Sequence, residues 1–309
     1  MQPGLRRLAA DAPHLTAVSP GSRHQREKLA VLSRFASQAL LASPHFDPSL
    51  AMDALARQAQ AEHPEVIQWD GRRLVSPSMG VAVNGSKVED THSGSFGLGD
   101  EIGRCLRQLP SAWRSVGLLS LAFAEDFAVV SAADACVPWM AVSLPSFWAP
   151  EEKVGRPFTA IHAPVADSKL LQSAGSALMQ LVSDGQAWER FVWTITPHSR
   201  LHAHPHRVDP RGWQGPLPVG TDIAQRAWWR TERQTFLPVS QRELSVFTIR
   251  VEMTPLAKAL QSPLQARRLH EALSSMTPAV LDYRGLTPVR DALLTWLDHQ
   301  AQILKAPQA

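Results

Sequence analysis

Two cysteines are all that this chain of 309 residues contains, and Cys105 and Cys136 stand in no CxxC or Cys/His spacing. Neither a disulfide framework nor a thiolate zinc site is indicated, and two thiols cannot supply the four ligands of an iron–sulfur cluster. A reducing, cytoplasmic setting is the expectation. No stretch reaches the roughly 18 uncharged apolar residues that a membrane helix needs. The opening MQPGLRRLAADAPHL lacks the apolar run and small-residue cleavage site of a secretory signal. Absent too are a GxGxxG and a GK[ST] ending, and GLGDEIGR follows a polar loop rather than a strand, which argues against a phosphate loop. The formal charge is +3, but lysines and arginines are scattered without an aromatic-interleaved basic stripe, so nucleic acid is not an expected partner. No internal repeat is visible.

What is present is apolar material: 44% hydrophobic residues against 19% charged ones, enough for one large core or two modest ones. Between Arg23 and Ala42 apolar residues recur at helical spacing (Leu29, Leu32, Phe35, Ala36, Ala39, Leu40), and DPSLAMDALARQAQAEHP reads as a second helix with Asp47 or Ser49 near its cap. From Ser76 to Gly99 a Gly/Ser/Asn-rich stretch predicts a loop with at most one short strand, suited to a mobile lid. The middle is strand-like: VGLLSLAFAEDFAVV, VPWMAVSLP, ERFVWTIT, WWRTERQTFLPV and LSVFTIRVEM are β-branched or aromatic runs bounded by Pro, Gly and Ser. Helical patterns return after Thr254, the last from about Pro288 to Leu304. This order predicts an α+β fold with a mostly antiparallel sheet. It divides as a helical extension (residues 1–65), a strand-rich core (66–254) and C-terminal helices (255–309) of a single domain.

Three groups of residues bear on chemistry. In GRPFTAIHAPV, His162 sits in an apolar run closed by Pro164, and reads either as a core histidine satisfied by a backbone carbonyl or as a ligand. In WWRTERQT, period-two alternation puts Trp229, Thr231, Arg233 and Thr235 on one strand face and Arg230, Glu232 and Gln234 on the other, while Phe247, Ile249 and Val251 form an apolar face in VFTIRVEM. A sheet with one solvated face carrying cross-strand ion pairs accounts for that alternation, though not for the tight ERQT grouping. In TPHSRLHAHPHRVDPRGW there are four histidines. In an extended strand His202, His204 and His206 would share a face with spacing suited to a divalent metal. His198 is the fourth, and the polar flanks of the segment support the competing reading, a solvated Pro-rich loop.

EKVGRPFTAIHAPV, WWRTERQTFLPV, FTIRVEMTPL and LDYRGL, in that order and spacing, resemble the haem-dependent oxidative N-demethylase family, and GLRRL and FAEDFAVV are similar in weaker ways. The resemblance implies a PAS-like antiparallel sheet enclosing haem b, flanked by N- and C-terminal helices. It also implies a monooxygenase that oxidises an N-methyl group of a small amine with dioxygen. Electrons would come from a separate NADPH-dependent reductase with flavin and iron–sulfur centres. On that reading His162 is the axial ligand, Arg233, Lys153 and Arg156 are cations for the propionates, Trp193 is a haem wall, and Glu232 and Gln234 position the amine. A haem-based PAS sensor without turnover and a histidine-cluster metalloenzyme without haem are the competing functions, and a homo-oligomer is left open.

Overall fold

The β-branched and aromatic runs in the middle of the chain pair into a seven-stranded sheet in the computed structural model, which describes residues 4–91, 100–162, 175–207, 212–213, 222–239 and 243–303. Its strands are β1 (Arg6–Arg7), β2 (Leu40–Ala42), β7 (Asp126–Ser131), β8 (Cys136–Ala141), β9 (Trp188–Thr196), β10 (Trp228–Val239) and β11 (Leu244–Pro255). They run in the order β1-β9-β10-β11-β7-β8-β2 with every neighbouring pair antiparallel. The fold is α+β. Around the sheet lie α1 (Arg23–Arg34), α2 (Ala36–Ala39), α3 (Ser49–Glu62), α4 (Glu101–Gln108), α5 (Arg114–Ala122), α6 (Phe158–His162), α7 (Gly175–Val182), α8 (Leu256–Ala259), α9 (Pro263–Ser274), α10 (Pro278–Tyr283) and α11 (Arg290–Ile303). None of the described helices is long and apolar enough to cross a membrane.

Three sequence expectations change. VGLLSLA is not strand but α5, whose residues Val116–Ala122 are all buried. An element covered on every side has no polar face, so its run of apolar residues carries no helical period to read. The described part of the Ser76–Gly99 stretch carries two strands rather than at most one. Together with β3 (Gln68–Trp69) and β4 (Arg73–Ser76), the strands β5 (Val81–Asn84) and β6 (Lys87–Asp90) form a second, four-stranded antiparallel sheet. Gly85, at φ 57°, turns the chain between β5 and β6, a conformation that a side chain with a Cβ resists. Residues 92–99 lie outside those described. The predicted helix from Arg23 to Ala42 also breaks at Phe35 and ends in β2.

Both faces of the large sheet are covered over most of their extent, contrary to the expectation of one solvated face, and Phe191 on β9 is exposed. Cross-strand partners share a face. The register therefore groups Arg230, Glu232, Gln234 and Phe236 of β10 with Arg190 of β9, with Phe247, Ile249 and Val251 of β11, and with Asp126 and Ala128 of β7. We call this the site face. It packs on α6, on α7 and on the segment around Trp148, through Phe158, Ile161, Met179 and Val182. The opposite face, with Val246, Phe127, Val129 and Trp139, builds the main core against α1, α3 and α5.

Two buried polar junctions fix the N-terminal elements to that core. Lys28 of α1, 0% exposed, ion-pairs with Asp126 at 3.2 Å and donates to the carbonyls of Phe123 and Glu125. Burial pushes its pKa down, opposed by Asp126. Asp126 in turn accepts from the Leu144 amide at 2.6 Å, so one pair of charges holds α1, β7 and the chain after β8 together. His14 Nδ1 lies 2.9 Å from the Thr235 hydroxyl, which lies 2.7 Å from that of Thr248. Glu62 of α3 accepts the amides of His14 and Leu15 at 2.7 and 2.9 Å.

Burial lowers the His14 pKa below its ordinary 6.5, with Glu62 opposing. As pH falls below the unfolded value, the unfolded chain takes up a proton that the folded chain refuses, so the contribution of His14 shrinks in acid. Urea denaturation between about pH 7.5 and about pH 5.5 should therefore show wild type losing stability relative to His14→Asn, by at most about 1.4 kcal/mol per pH unit. A difference independent of pH would contradict a ring buried in its neutral form.

Candidate functional site

On the site face a line of polar side chains replaces the apolar residues that a covered sheet ordinarily carries. Arg190 Nε donates to Gln234 Oε1 at 2.5 Å, and Gln234 Nε2 donates to Glu232 Oε2 at 2.6 Å. Ser146 Oγ donates to Glu232 Oε1 and accepts from Arg230 Nε at 2.7 Å. The Glu232 carboxylate is thus held at both oxygens by neutral donors, with an arginine at each end of the chain. Hydrogen bonds that lock both oxygens fix the carboxylate's direction, as a residue that must orient a ligand requires.

Arg230 anchors this line. It is 1% exposed and makes no direct ion pair among the described residues. Its Nη atoms reach the carbonyls of Arg200 (3.0 Å), Leu144 (3.3 Å), Pro145 (3.2 Å) and Leu201 (2.9 Å), so its fork ties two loops to the sheet and presents Ser146 to Glu232. Burial pushes its pKa down to about 10, with Glu232 opposing. It remains a cation at neutral pH.

His162 ends α6 on the same side of the sheet, its ring 4.0 Å from that of Phe158. Its Nδ1 donates to the Phe158 carbonyl at 2.8 Å, one turn back, which leaves Nε2 with the lone pair. Burial lowers its pKa, and the neighbouring Arg190 and Lys153 charges lower it further. The ring is therefore neutral at pH 7. A backbone carbonyl satisfies one nitrogen, as for a core histidine, and at the same time sets the tautomer that a metal-ligating histidine uses. Ala163, Pro164 and Val165, the apolar residues that follow in the sequence, lie outside the described residues.

Lys153 Nζ donates to the Ile161 carbonyl at 3.3 Å, within the field of His162, and Arg156 is exposed. Burial lowers the Arg190 pKa and Glu232 opposes it, while only its Nε carries a hydrogen bond among the described residues. Arg233 points to the other face. It pairs with Glu189 at 3.1 Å and donates to the Pro13 carbonyl at 2.8 Å, tying the N-terminal segment to the sheet. Strand alternation separates it from Glu232 and Gln234, as the sequence indicated, and so from His162. Trp193 also faces away from His162, against Trp229 and under the Arg284 guanidinium, and packs with the C-terminal helices. Sequence reading missed Arg190 and Ser146. Arg190 was legible in retrospect, because register with Gln234 places it on the Glu232 face. Ser146 had no local signal.

Among its described residues the histidine segment is not an extended strand, and it is solvated only in part, His206 and Arg207 being exposed. Leu201, Ala203 and His204 are buried, and Ala203 bridges Ser146. His202 Nδ1 donates to the Ser143 carbonyl at 2.7 Å.

A haem asks for a neutral imidazole with a free nitrogen, cations for two carboxylates and a dry setting. His162, whose Nε2 carries no hydrogen bond among the described residues, Arg190, whose terminal nitrogens are likewise uncommitted there, and Lys153 meet the first two requirements on one side of the sheet. In comparison with known families, residues 107–294, more than half of the chain, match the family described as haem-dependent oxidative N-demethylase, alpha subunit-like.

Replacing Arg230 with methionine would strand four carbonyls and the Ser146 hydroxyl. Chemical denaturation should show a loss on the order of 3–5 kcal/mol, with lysine recovering only part because it lacks the planar fork. A methionine variant within about 1 kcal/mol of wild type would refute the anchoring role.

Proposed function

The chain belongs to the haem-dependent oxidative N-demethylase alpha-subunit-like family, and from that premise we propose that it is a monooxygenase that removes an N-methyl group from a small secondary or tertiary amine. The carrying observation is that His162, Arg190, Glu232 and Gln234 converge on one covered face of the sheet. In the proposed reaction one oxygen atom of dioxygen leaves in formaldehyde and the other in water. Two electrons and two protons are consumed, and the demethylated amine is released. Bound haem b supplies the dioxygen activation.

The chain's own residues do the rest. The sheet with its covering helices serves as a PAS-like haem domain. His162, its ring held by the Phe158 carbonyl, would hold the haem iron through Nε2. Arg190 and Lys153 neutralise the propionates, a role that the sequence reading gave to Lys153, Arg156 and Arg233. Glu232 attracts the substrate ammonium with a carboxylate that Ser146 and Gln234 hold in one direction. Closing such a pair away from bulk water strengthens it. With two cysteines, the chain cannot hold an iron–sulfur cluster that needs four thiolates. Electrons therefore come from a separate NADPH-dependent reductase protein carrying flavin and iron–sulfur centres.

Expression with a haem precursor should give a Soret band equivalent to one haem b per chain, shifting on reduction and on carbon monoxide. His162→Ala should lose the haem or hold it labile, since it removes the one strong bond from protein to iron. Colourless protein after reconstitution would sink the cofactor assignment. His162→Ala with an unchanged spectrum would return that ring to a core role.

The two arginines separate the propionate assignment from fold effects. Arg190→Gln should speed haem transfer to apomyoglobin about tenfold or more while leaving the urea midpoint of the haem-free protein nearly in place, because it removes a charge-assisted partner. Arg233→Gln should do the reverse, through loss of Glu189 and Pro13 as partners. Equal haem retention in wild type and Arg190→Gln would reject Arg190 as the propionate cation.

A further inference from the structure

The 201–207 segment holds a second group of ligand atoms that the haem reading does not use. His204 is 1% exposed, and its Nε2 lies 3.1 and 3.2 Å from the two carboxylate oxygens of Glu151. His206 stands beside it, ring centroids 5.1 Å apart, and one ligand atom from each of Glu151, His204 and His206 falls within 4.8 Å of the others. We propose that these three residues bind a divalent transition-metal ion such as zinc, at a site that does not include His162.

Chemistry and scaffold both support this. Two imidazoles and a carboxylate are a borderline-soft donor set, the ligand combination of zinc sites that keep a fourth position for water. Zinc–ligand bonds near 2.0–2.1 Å with tetrahedral angles put ligand atoms about 3.3 Å apart. The Glu151–His204 edge already has that length. The remaining edges close by rotation of Glu151 and His206, which are exposed and reach solvent. Ligation through Nε2 moves the His204 ring hydrogen to Nδ1, so the His206 amide, 3.2 Å from Nδ1, must turn outward.

Apart from the His206 amide, the backbone under the ligands is held before any ion arrives. Ala203 donates to Pro145 at 3.0 Å, Phe147 donates to Ala203 at 2.8 Å, and the turn closes from Arg207 to His204 at 2.9 Å. The adjacent cation, Arg207, is occupied over the Phe35 ring at 3.9 Å and donates to Gln38. A second observation points the same way. His202 Nε2 is buried without a partner among the described residues, on a ring stacked 6.1 Å from that of His204. Buried polar atoms left without partners are uncommon, and water on a bound ion would supply one. The ion would link the segment carrying Glu151 to the histidine segment, the latter already gripped by Arg230.

The test uses tag-free, chelator-treated full-length protein. Zinc is titrated in competition with a chromophoric chelator, and cobalt(II) is added separately to read its visible ligand-field bands. One zinc per chain is expected. His206→Ala and Glu151→Gln should each weaken binding at least about tenfold, and the exposed control His45→Asn should leave it unchanged. Both ligand variants alter exposed side chains, so circular dichroism should match wild type and loss of binding will not reflect unfolding. Absence of stoichiometric zinc, or binding that survives in the double variant, would overturn the site. Neither result depends on haem loading, so failure here leaves the haem reading standing.

Discussion

A single buried guanidinium carries the geometry of the site. Arg230 has its charge deep in the protein with no carboxylate of the described residues in direct contact, a placement that costs several kcal/mol unless its donors are matched. Four backbone carbonyls and one serine hydroxyl match them. Those acceptors come from two loops remote in sequence, 144–146 and 200–201, so satisfying one side chain dictates where both loops lie over the sheet. Ser146 then passes the constraint to Glu232, and Gln234 passes it to Arg190. The hydrogen-bonded line is the consequence of an obligation that begins at Arg230.

A parallel obligation begins at the N-terminal helix. Lys28 and Asp126 form a fully buried pair, and Asp126 also holds the Leu144 amide. Leu144 therefore lies between two buried charges, Asp126 accepting from its amide and Arg230 donating to its carbonyl. The N-terminal helix, the sheet and the loop over the site are coupled through that residue's backbone. Neither charge can be removed without stranding groups that belong to a different element.

The two faces of β10 divide labour along the strand. Arg233, Thr235 and their neighbours knit the sheet to the N-terminal segment through Glu189, Pro13 and His14, whereas Arg230, Glu232 and Gln234 build the site. Period-two alternation was enough to sort these residues into two sets. It could not say which set faced His162, because that depends on which side of the sheet α6 packs. Arg233 was therefore assigned to the cofactor from its chemistry, although its own face had a glutamate waiting.

What the sequence determined alone is what local periodicity and composition encode: an α+β chain, antiparallel strands with the ERQT alternation, helices at both ends, and His162 in an apolar setting. Where periodicity was silent, tertiary structure decided. The buried run Val116–Ala122 of α5 had no polar face to announce a helix, and the strands between Val81 and Asp90 needed their partner β4 to become a sheet. The cross-strand neighbour Arg190, the loop residue Ser146 and the meeting of Glu151 with His204 and His206 join positions far apart in the chain. Such contacts arise when loops close over a sheet to satisfy buried polar groups. That requirement acts through space, so no window of neighbouring residues displays it.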